Sequence, residues 1–327
     1  MASIRDVAKL AGVSPSTVSR VMNNTARVDE EKRKRVLDAI EETGFQPNEL
    51  ARALFKQSSK IIGVIVSSIV NPFFSEMVSA IEEEAFELGY RILICDSNGN
   101  VEKEKMNIHM LNQMKADGLI MMAQSEMTSQ IIKDCQMPVV VLDRRLSGDN
   151  VIASVYSDHY SGGKMAARYL LDCGCKSLVC VRGPQNASSG KDRYSGYRDL
   201  CKEMGIEEQV IDGDYSYDES LDSAHVILEK YPDVDGIFAC NDMSAFAICK
   251  VLQEKGYKVP EDIQVIGYDN IMFSRLFAPE ITTIHQPIDE MGRLAVQIIV
   301  RHINGENYEK NNNFEVELIK RQSTKNE

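Results

Sequence analysis

From Ile61 onward, short apolar runs alternate with stretches of helical period, and the alternation runs twice. In the first round Ile61–Val66, Arg91–Cys95, Gly118–Met122 and Val139–Leu142 read as buried strands, with helices near 73–88, 101–115 and 127–135. In the second round the strands fall near 177–182, 235–240 and 263–268, and the helices near 160–172, 190–204, 218–230 and 242–255. One more helix is predicted over 287–304 and a last strand over 314–320. Unbroken apolar strands separated by helices require parallel sheets covered on both faces. The length suits two such doubly wound subdomains, so this body is an α/β structure. Ligands in such sheets bind beyond the carboxyl ends of the strands. The cleft between the subdomains is therefore the expected site.

The first sixty residues follow another pattern. Ile4, Val7, Ala8 and Ala11 recur at helical spacing and give a first helix one apolar face. Gly12 suits a left-handed helix end. Ser14-Pro15 opens a second helix: the hydroxyl can accept from orphan amides, and proline fits the first helical position. Val18, Val21 and Met22 then point inward, while Ser16, Thr17, Arg20 and Asn23 point out. A short, polar, cationic face of this kind can lie in a major groove and read base edges. Asp29-Glu30-Glu31 starts a third helix, continued by Val36, Leu37 and Ile40 and ended by Gly44. Its Lys32–Arg35 run is a solvated face or a phosphate contact. After the break at Gln46-Pro47-Asn48 comes an eight-residue helical stretch, 49–56, too short to hold alone in water. A polar linker, 57–60, follows it.

The runs Ile4-Arg5-Asp6-Val7-Ala8, Ala11-Gly12-Val13-Ser14 and Thr17-Val18-Ser19-Arg20-Val21 resemble the helix-turn-helix of the lactose-repressor (LacI/GalR) family of bacterial transcription regulators. The resemblance implies an all-α DNA-binding head over 1–47, with Ser14, Pro15, Ser16, Thr17, Arg20 and Asn23 against the operator. It also makes 48–60 a hinge helix and linker. There Ala51 and Leu54 would meet the minor groove, with Leu54 wedged between base pairs. Charge is distributed accordingly. Of a net −12, residues 1–60 hold 11 Lys/Arg against 8 Asp/Glu, and the rest 26 against 41. Phosphate binding needs only a local positive face, because distant charges are screened within about 8 Å.

The body, 61–327, resembles the periplasmic-binding-protein type I fold, and among its members the ribose binders. The resemblance places one subdomain at about 61–158 and 287–312 and the other at about 159–286 and 313–327. Its site residues are Asn71, Phe73, Phe74, Asp143, Arg144, Arg193, Tyr215, Asn241, Asp269 and Gln286. Apart from Tyr215, they stand where a predicted strand ends or just beyond. The chemistry suits a sugar independently of the name. Hydroxyls on the rim need planar groups that donate or accept in pairs, and C–H faces need aromatic walls. The arginines also neutralise aspartates that would be costly to desolvate alone. A small neutral sugar, ribose first, is favoured over a purine, whose binders of this fold differ at Asp143-Arg144.

Enzyme readings find no support. There is no GxGxxG, GxSxG or HExxH, and the spacing in Gly183–Asp192 is wrong for a phosphate loop. The five His show no metal-ligand spacing, and none of the eight Cys forms a CxxC, so no metal or cofactor is expected. Scattered, largely apolar-flanked Cys indicate reduced thiols. With no 18-residue apolar run and no export signal, the expected place is the cytoplasm, on the nucleoid. The resulting expectation is a homodimeric, sugar-controlled repressor acting on a palindromic operator. No leucine-heptad run follows Arg321, so no tetramerising tail is implied. The rivals are a catabolite-control regulator answering to a phosphocarrier protein, and a regulator answering to another sugar or a purine.

Overall fold

The computed structural model describes residues 2–23, 27–45, 58–122, 128–146, 148 and 150–325. The predicted hinge helix and its residues Ala51 and Leu54 lie outside them, as does the side chain of Asn23. The chain divides into two units, Met1–Ser59 and Lys60–Glu327.

The first unit holds α1 (Ile4–Ala11), α2 (Pro15–Asn23) and α3 (Glu30–Thr43). The Asp6 carboxylate accepts from the Ser3 amide and hydroxyl, at 2.8 and 2.7 Å, fixing the start of α1. Gly12 ends that helix at φ +65°, a conformation that costs glycine nothing. Ser14 Oγ accepts from the Thr17 amide at 3.2 Å, and Asp29 accepts from the Lys32 amide, also at 3.2 Å. Both caps stand where the sequence pattern predicts helix starts. The core is Val7, Ala8, Ala11, Val18, Val21, Val36 and Ala39. Leu37 faces outward, half exposed.

In the second unit the chain runs β1 (Ile61–Val66), α4 (Pro72–Glu87), β2 (Arg91–Asp96), α5 (Val101–Gln113), β3 (Gly118–Met122), α6 (Thr128–Ile131), β4 (Val139–Leu142) and β5 (Val151–Ser157). It continues through α7 (His159–Asp172), β6 (Leu178–Arg182), α8 (Ser188–Met204), β7 (Gln209–Asp212), α9 (Tyr217–Lys230) and β8 (Gly236–Ala239). Then come α10 (Asp242–Glu254), β9 (Gln264–Asp269), β10 (Thr282–His285), α11 (Ile288–Asn304), β11 (Asn311–Phe314) and β12 (Glu317–Ile319). The first sheet has the order β11-β5-β4-β3-β1-β2, the second β12-β10-β9-β8-β6-β7. Every neighbouring pair is parallel except β10 with β12. The central strands β3, β4, β8 and β9 are buried along their whole length, as their apolar sequences require.

The chain passes between the two sheets three times, after Ser157, after His285 and after Phe314. The α11 helix packs on α4 and on β3, β4 and β5, so it covers the first sheet. The strands β5, β7 and β10 are absent from the sequence reading, and two of its predicted elements are divided differently. The single strand predicted over 314–320 is two strands in different sheets, and Asn313 and Phe314 belong to the first. The helix predicted over 127–135 is the short α6 followed by a 3-10 turn, Ile132–Asp134. Among the described residues no helix is long and apolar enough to cross a membrane, and no group of His, Cys, Asp and Glu could hold a metal ion.

Candidate functional site

Parallel strands bring their carboxyl ends to one edge of a sheet, and the polar residues collect there. Asp143, buried, follows β4 at φ +65°. The side chain of Asp158 caps α7 by accepting from the Ser161 amide, which sets His159 at the first position of the helix. Arg193 lies one turn into α8. A Cβ at Gly163 would come 1.9 Å from the Arg193 carbonyl, and one at Gly196 would come 2.1 Å from the Tyr160 carbonyl. Glycines at both positions therefore let α7 and α8 touch backbone to backbone, and this seats Arg193 beside His159. Asn241 caps α10 by accepting from the Ser244 amide at 3.0 Å. Its Nδ2 donates to the Tyr215 carbonyl at 2.9 Å, holding that residue at φ +73°. Asp269 and Asn270 end β9 at φ +105° and +60°. Such conformations are strained by about 1–3 kcal/mol each for non-glycine residues, and they persist only where neighbours fix them.

Arg193 is the hub. Its Nε donates to His159 Nδ1 at 3.3 Å and its Nη1 to the Cys240 carbonyl at 2.7 Å. Nη1 lies 3.1 Å from Asp269 Oδ1, and Nη2 lies 4.0 Å from Asp143 Oδ1. The guanidinium stacks over Tyr268, 3.8 Å from the ring centroid, with the Tyr215 ring at 5.7 Å. Gln286 Nε2 donates to Asp269 Oδ1 at 2.8 Å. Arginine can only donate, so His159 Nδ1 accepts and the ring proton sits on Nε2. In this cluster four buried polar atoms make no well-formed hydrogen bond: Asp143 Oδ1, His159 Nε2, the Tyr215 hydroxyl and Gln286 Oε1. His159 Nε2 is 3.2 Å from Asp143 Oδ1 but is not aligned to donate to it. Buried orphan atoms are costly unless something completes them. This set asks for a ligand that both donates and accepts.

Burial would raise the Asp143 carboxyl, but the His159 N–H that faces it at 3.2 Å, with the Arg193 charge, outweighs burial and holds the group below its ordinary value. Burial, with Asp143 adding to it, pushes Asp269 up to about 7 despite Arg193. Burial and Arg193 hold His159 low, and therefore neutral. Burial also lowers Arg144, against the pull of Asp143. Two guanidiniums face Asp143, which is ionised, and Asp269, which keeps its proton below about pH 7, so the cleft carries no excess of negative charge.

Of the residues expected at the site, the structure brings Asp143, Arg193, Asp269 and Gln286 into direct contact, with Tyr215 beside Arg193 and Asn241 supporting Tyr215. Arg144 is buried next to Asp143. Asn71 serves at least in part as the cap of α4, accepting from the Phe73 amide at 3.1 Å. Phe73 and Phe74 form a buried edge-to-face pair, 5.2 Å between centroids, at the carboxyl end of β1. They make no hydrogen bond or ring contact with the Arg193 cluster. His159 and Tyr268 were not anticipated. Both stand in strand-end stretches, His159 directly after Ser157-Asp158 and Tyr268 directly before Asp269, and that position is the signal that could single them out. In the head, Ser14, Pro15, Ser16 and Arg20 are exposed and Thr17 is half-buried. Ser14 Oγ also bonds Ser16 Oγ at 2.7 Å and Thr17 Oγ1 at 2.9 Å, so its first duty is local.

Residues 3–48 match the family of bacterial regulatory proteins of the lacI type. Residues 59–323 match the periplasmic binding proteins and sugar-binding domain of the LacI family. The ribose operon repressor of Halalkalibacterium halodurans is 34% identical over 93% of this chain and 91% of its own. The transcriptional repressor PurR of Pasteurella multocida is 36% identical over 95% of this chain and 94% of its own. A solved structure of a LacI-family regulator from Enterococcus faecium with bound ribose superimposes with a TM-score of 0.73 at 28% identity, over 81% of this chain and 98% of that one. With a basic helix-turn-helix head and a two-sheet body whose polar residues converge at the strand ends, the chain belongs to the LacI family, as a DNA-binding repressor controlled by a small molecule held in its body.

Proposed function

We propose that the effector is a small neutral sugar, D-ribose first, and that it is bound by Asp143, Arg144, Arg193, Tyr215, Asn241, Asp269 and Gln286 with Asn71, Phe73 and Phe74 closing the other side. The observation that carries this reading is the set of buried polar atoms at the strand ends, two acceptors, one imidazole donor and one hydroxyl, that make no well-formed hydrogen bond, the imidazole facing the Asp143 acceptor at 3.2 Å. A sugar rim supplies hydroxyls that donate and accept at once, which is what a mixed set of buried donors and acceptors takes. In this reading the protein acts as a dimer on a palindromic operator. Ser16, Thr17, Arg20 and Asn23 of each head read bases, and Ala51 and Leu54 of each hinge enter the minor groove. Sugar closes the cleft and disfavours the operator-bound hinge, so the two ligands oppose each other through a coupling free energy.

The PurR relative supports a second reading, with a purine base as effector. Calorimetric titration of the full chain with D-ribose and with hypoxanthine decides between them, alongside operator-release assays with each compound. The sugar reading expects D-ribose alone to bind and to weaken operator binding, and Arg193→Ala to abolish both effects. Binding of hypoxanthine alone would replace the sugar with a purine, and an inert response to both would remove both readings.

A further inference from the structure

The turn that presents Asp269 is held from behind by a residue far along the chain. Asn270, at φ +60°, is gripped on both sides. Its Oδ1 accepts from Arg321 Nη2 at 2.5 Å, and its Nδ2 meets His285 Nδ1 at 3.1 Å. Arg321 Nη1 donates to Ser274 Oγ at 2.9 Å and to the Ile281 carbonyl at 2.8 Å. The Arg321 amide donates to Thr282 Oγ1 at 2.9 Å. One guanidinium thus ties the start, the middle and the end of the segment that leads from Asp269 into β10. The Ile271 amide, next along, donates to the buried Asp242 carboxylate at 2.9 Å.

The choice of partners is informative. Among the described residues, Arg321 has no carboxylate within ion-pair distance, and its fork is spent on neutral oxygens. A planar guanidinium used in this way fixes geometry, where an ammonium could reach fewer of the same acceptors. Among the described residues no hydrogen bond or ion pair joins Arg321 to the Arg193 cluster, and its bonded route to Asp269 runs through Asn270.

We propose that Arg321 is a positioning residue of the effector site, locking the left-handed turn at Asp269-Asn270 so that the Asp269 carboxyl faces Arg193 and Gln286. The proposal rests on the reading of the cleft as the effector site. Its test separates the two. The full chain, Arg321→Lys, Arg321→Ala, Asp269→Ala and the Arg321→Ala/Asp269→Ala double variant are titrated with D-ribose and with hypoxanthine. Amide exchange across the effector-free protein is measured in parallel. For whichever compound binds the wild type, Arg321→Ala is expected to weaken affinity at least tenfold and Arg321→Lys by less. The double variant should bind no more weakly than Asp269→Ala alone, because the arginine acts through that carboxyl. In the effector-free Arg321→Ala protein, the amides of residues 270–272 should exchange at least tenfold faster while β8 and β9 keep their protection. Wild-type affinity and exchange in Arg321→Ala would overturn the proposal. So would losses that multiply in full in the double variant, or faster exchange throughout the second sheet. If neither compound binds the wild type, the effector reading fails, and exchange at 270–272 still decides whether Arg321 locks the turn.

Discussion

At the scale of single residues, Asp269 and Asp143 show how one cluster keeps two carboxyls in different states. Both are buried near Arg193, yet Asp143 is held ionised, while burial and the Asp143 charge push Asp269 up to about 7 from an ordinary 3.8. Between those two pH values the folded chain keeps a proton that the unfolded chain has released. The contribution of Asp269 to stability therefore falls as pH rises from about 4 to about 7. Urea unfolding of the wild type and of Asp269→Asn at several pH values measures this. The variant should lose part of the wild-type decline across that window, and parallel curves would contradict the assignment. A second residue-scale expectation concerns the head. Arg20 is exposed on α2, one turn beyond Ser16. Arg20→Ala should weaken operator binding by about 1–3 kcal/mol and relax sequence preference, as loss of a base-reading arginine does. Competition between operator and random duplexes reads out both effects, and undiminished discrimination would place Arg20 off the bases.

At the scale of elements, the backbone contact between α7 and α8 is a tight constraint on the site. Gly163→Ala sets a methyl against the Arg193 carbonyl, so the helices must part. Overpacking of this kind costs about 1–3 kcal/mol, and here it also moves the hub arginine. Denaturant unfolding should show the loss and titration should show weakened effector binding together; a variant with wild-type stability would mean the helices have slack. Elements also show what was legible in the sequence. The strands β1, β3, β4, β8 and β9 are continuous apolar runs and could be read directly. The strands β7 and β11 could not. Gln209–Asp212 is an edge strand with no buried residue, and Asn311–Phe314 is largely asparagine at the opposite kind of edge, so neither carries a burial pattern. The Thr-rich β10 is buried, but its threonines bond Asp242 and Thr324, a reason for burial that no hydrophobic pattern reports. For the site, strand-end position and residue type pointed to Asp143, Arg193, Asp269 and Gln286. The bonds of Arg193 to His159 and Cys240 join residues 34 and 47 positions apart, and only the fold reveals them.

At the scale of the whole body, two contacts join its halves without passing through the Arg193 cluster. Beyond β4, the Arg145 amide lies 3.3 Å from Ser188 Oγ, and the Arg145 guanidinium pairs with Asp192 on α8. From α4, Glu76 Oε1 accepts from the Met272 amide at 2.8 Å, and burial raises that carboxyl. Both sets of contacts span the two halves, so they would hold the cleft shut against opening. Asp192→Ala and Glu76→Ala together should lower effector affinity several-fold with every contact residue intact, and small-angle scattering should report a more open effector-free body. Unchanged affinity would mean that closure does not depend on them. The three passages of the chain between the sheets bear on how such a closure is transmitted. They leave the first sheet beside β5 and β11 and enter or leave the second beside β10, β12 and the start of α7, so they gather along one margin. The strands β2 and β7 stand at the far edges of their sheets, five strands away from it. A rotation about that margin, if effector binding drives one, would displace each strand in proportion to its distance from it, so the same turn would be read as a much longer stroke at β2 and β7 than at β5 and β10.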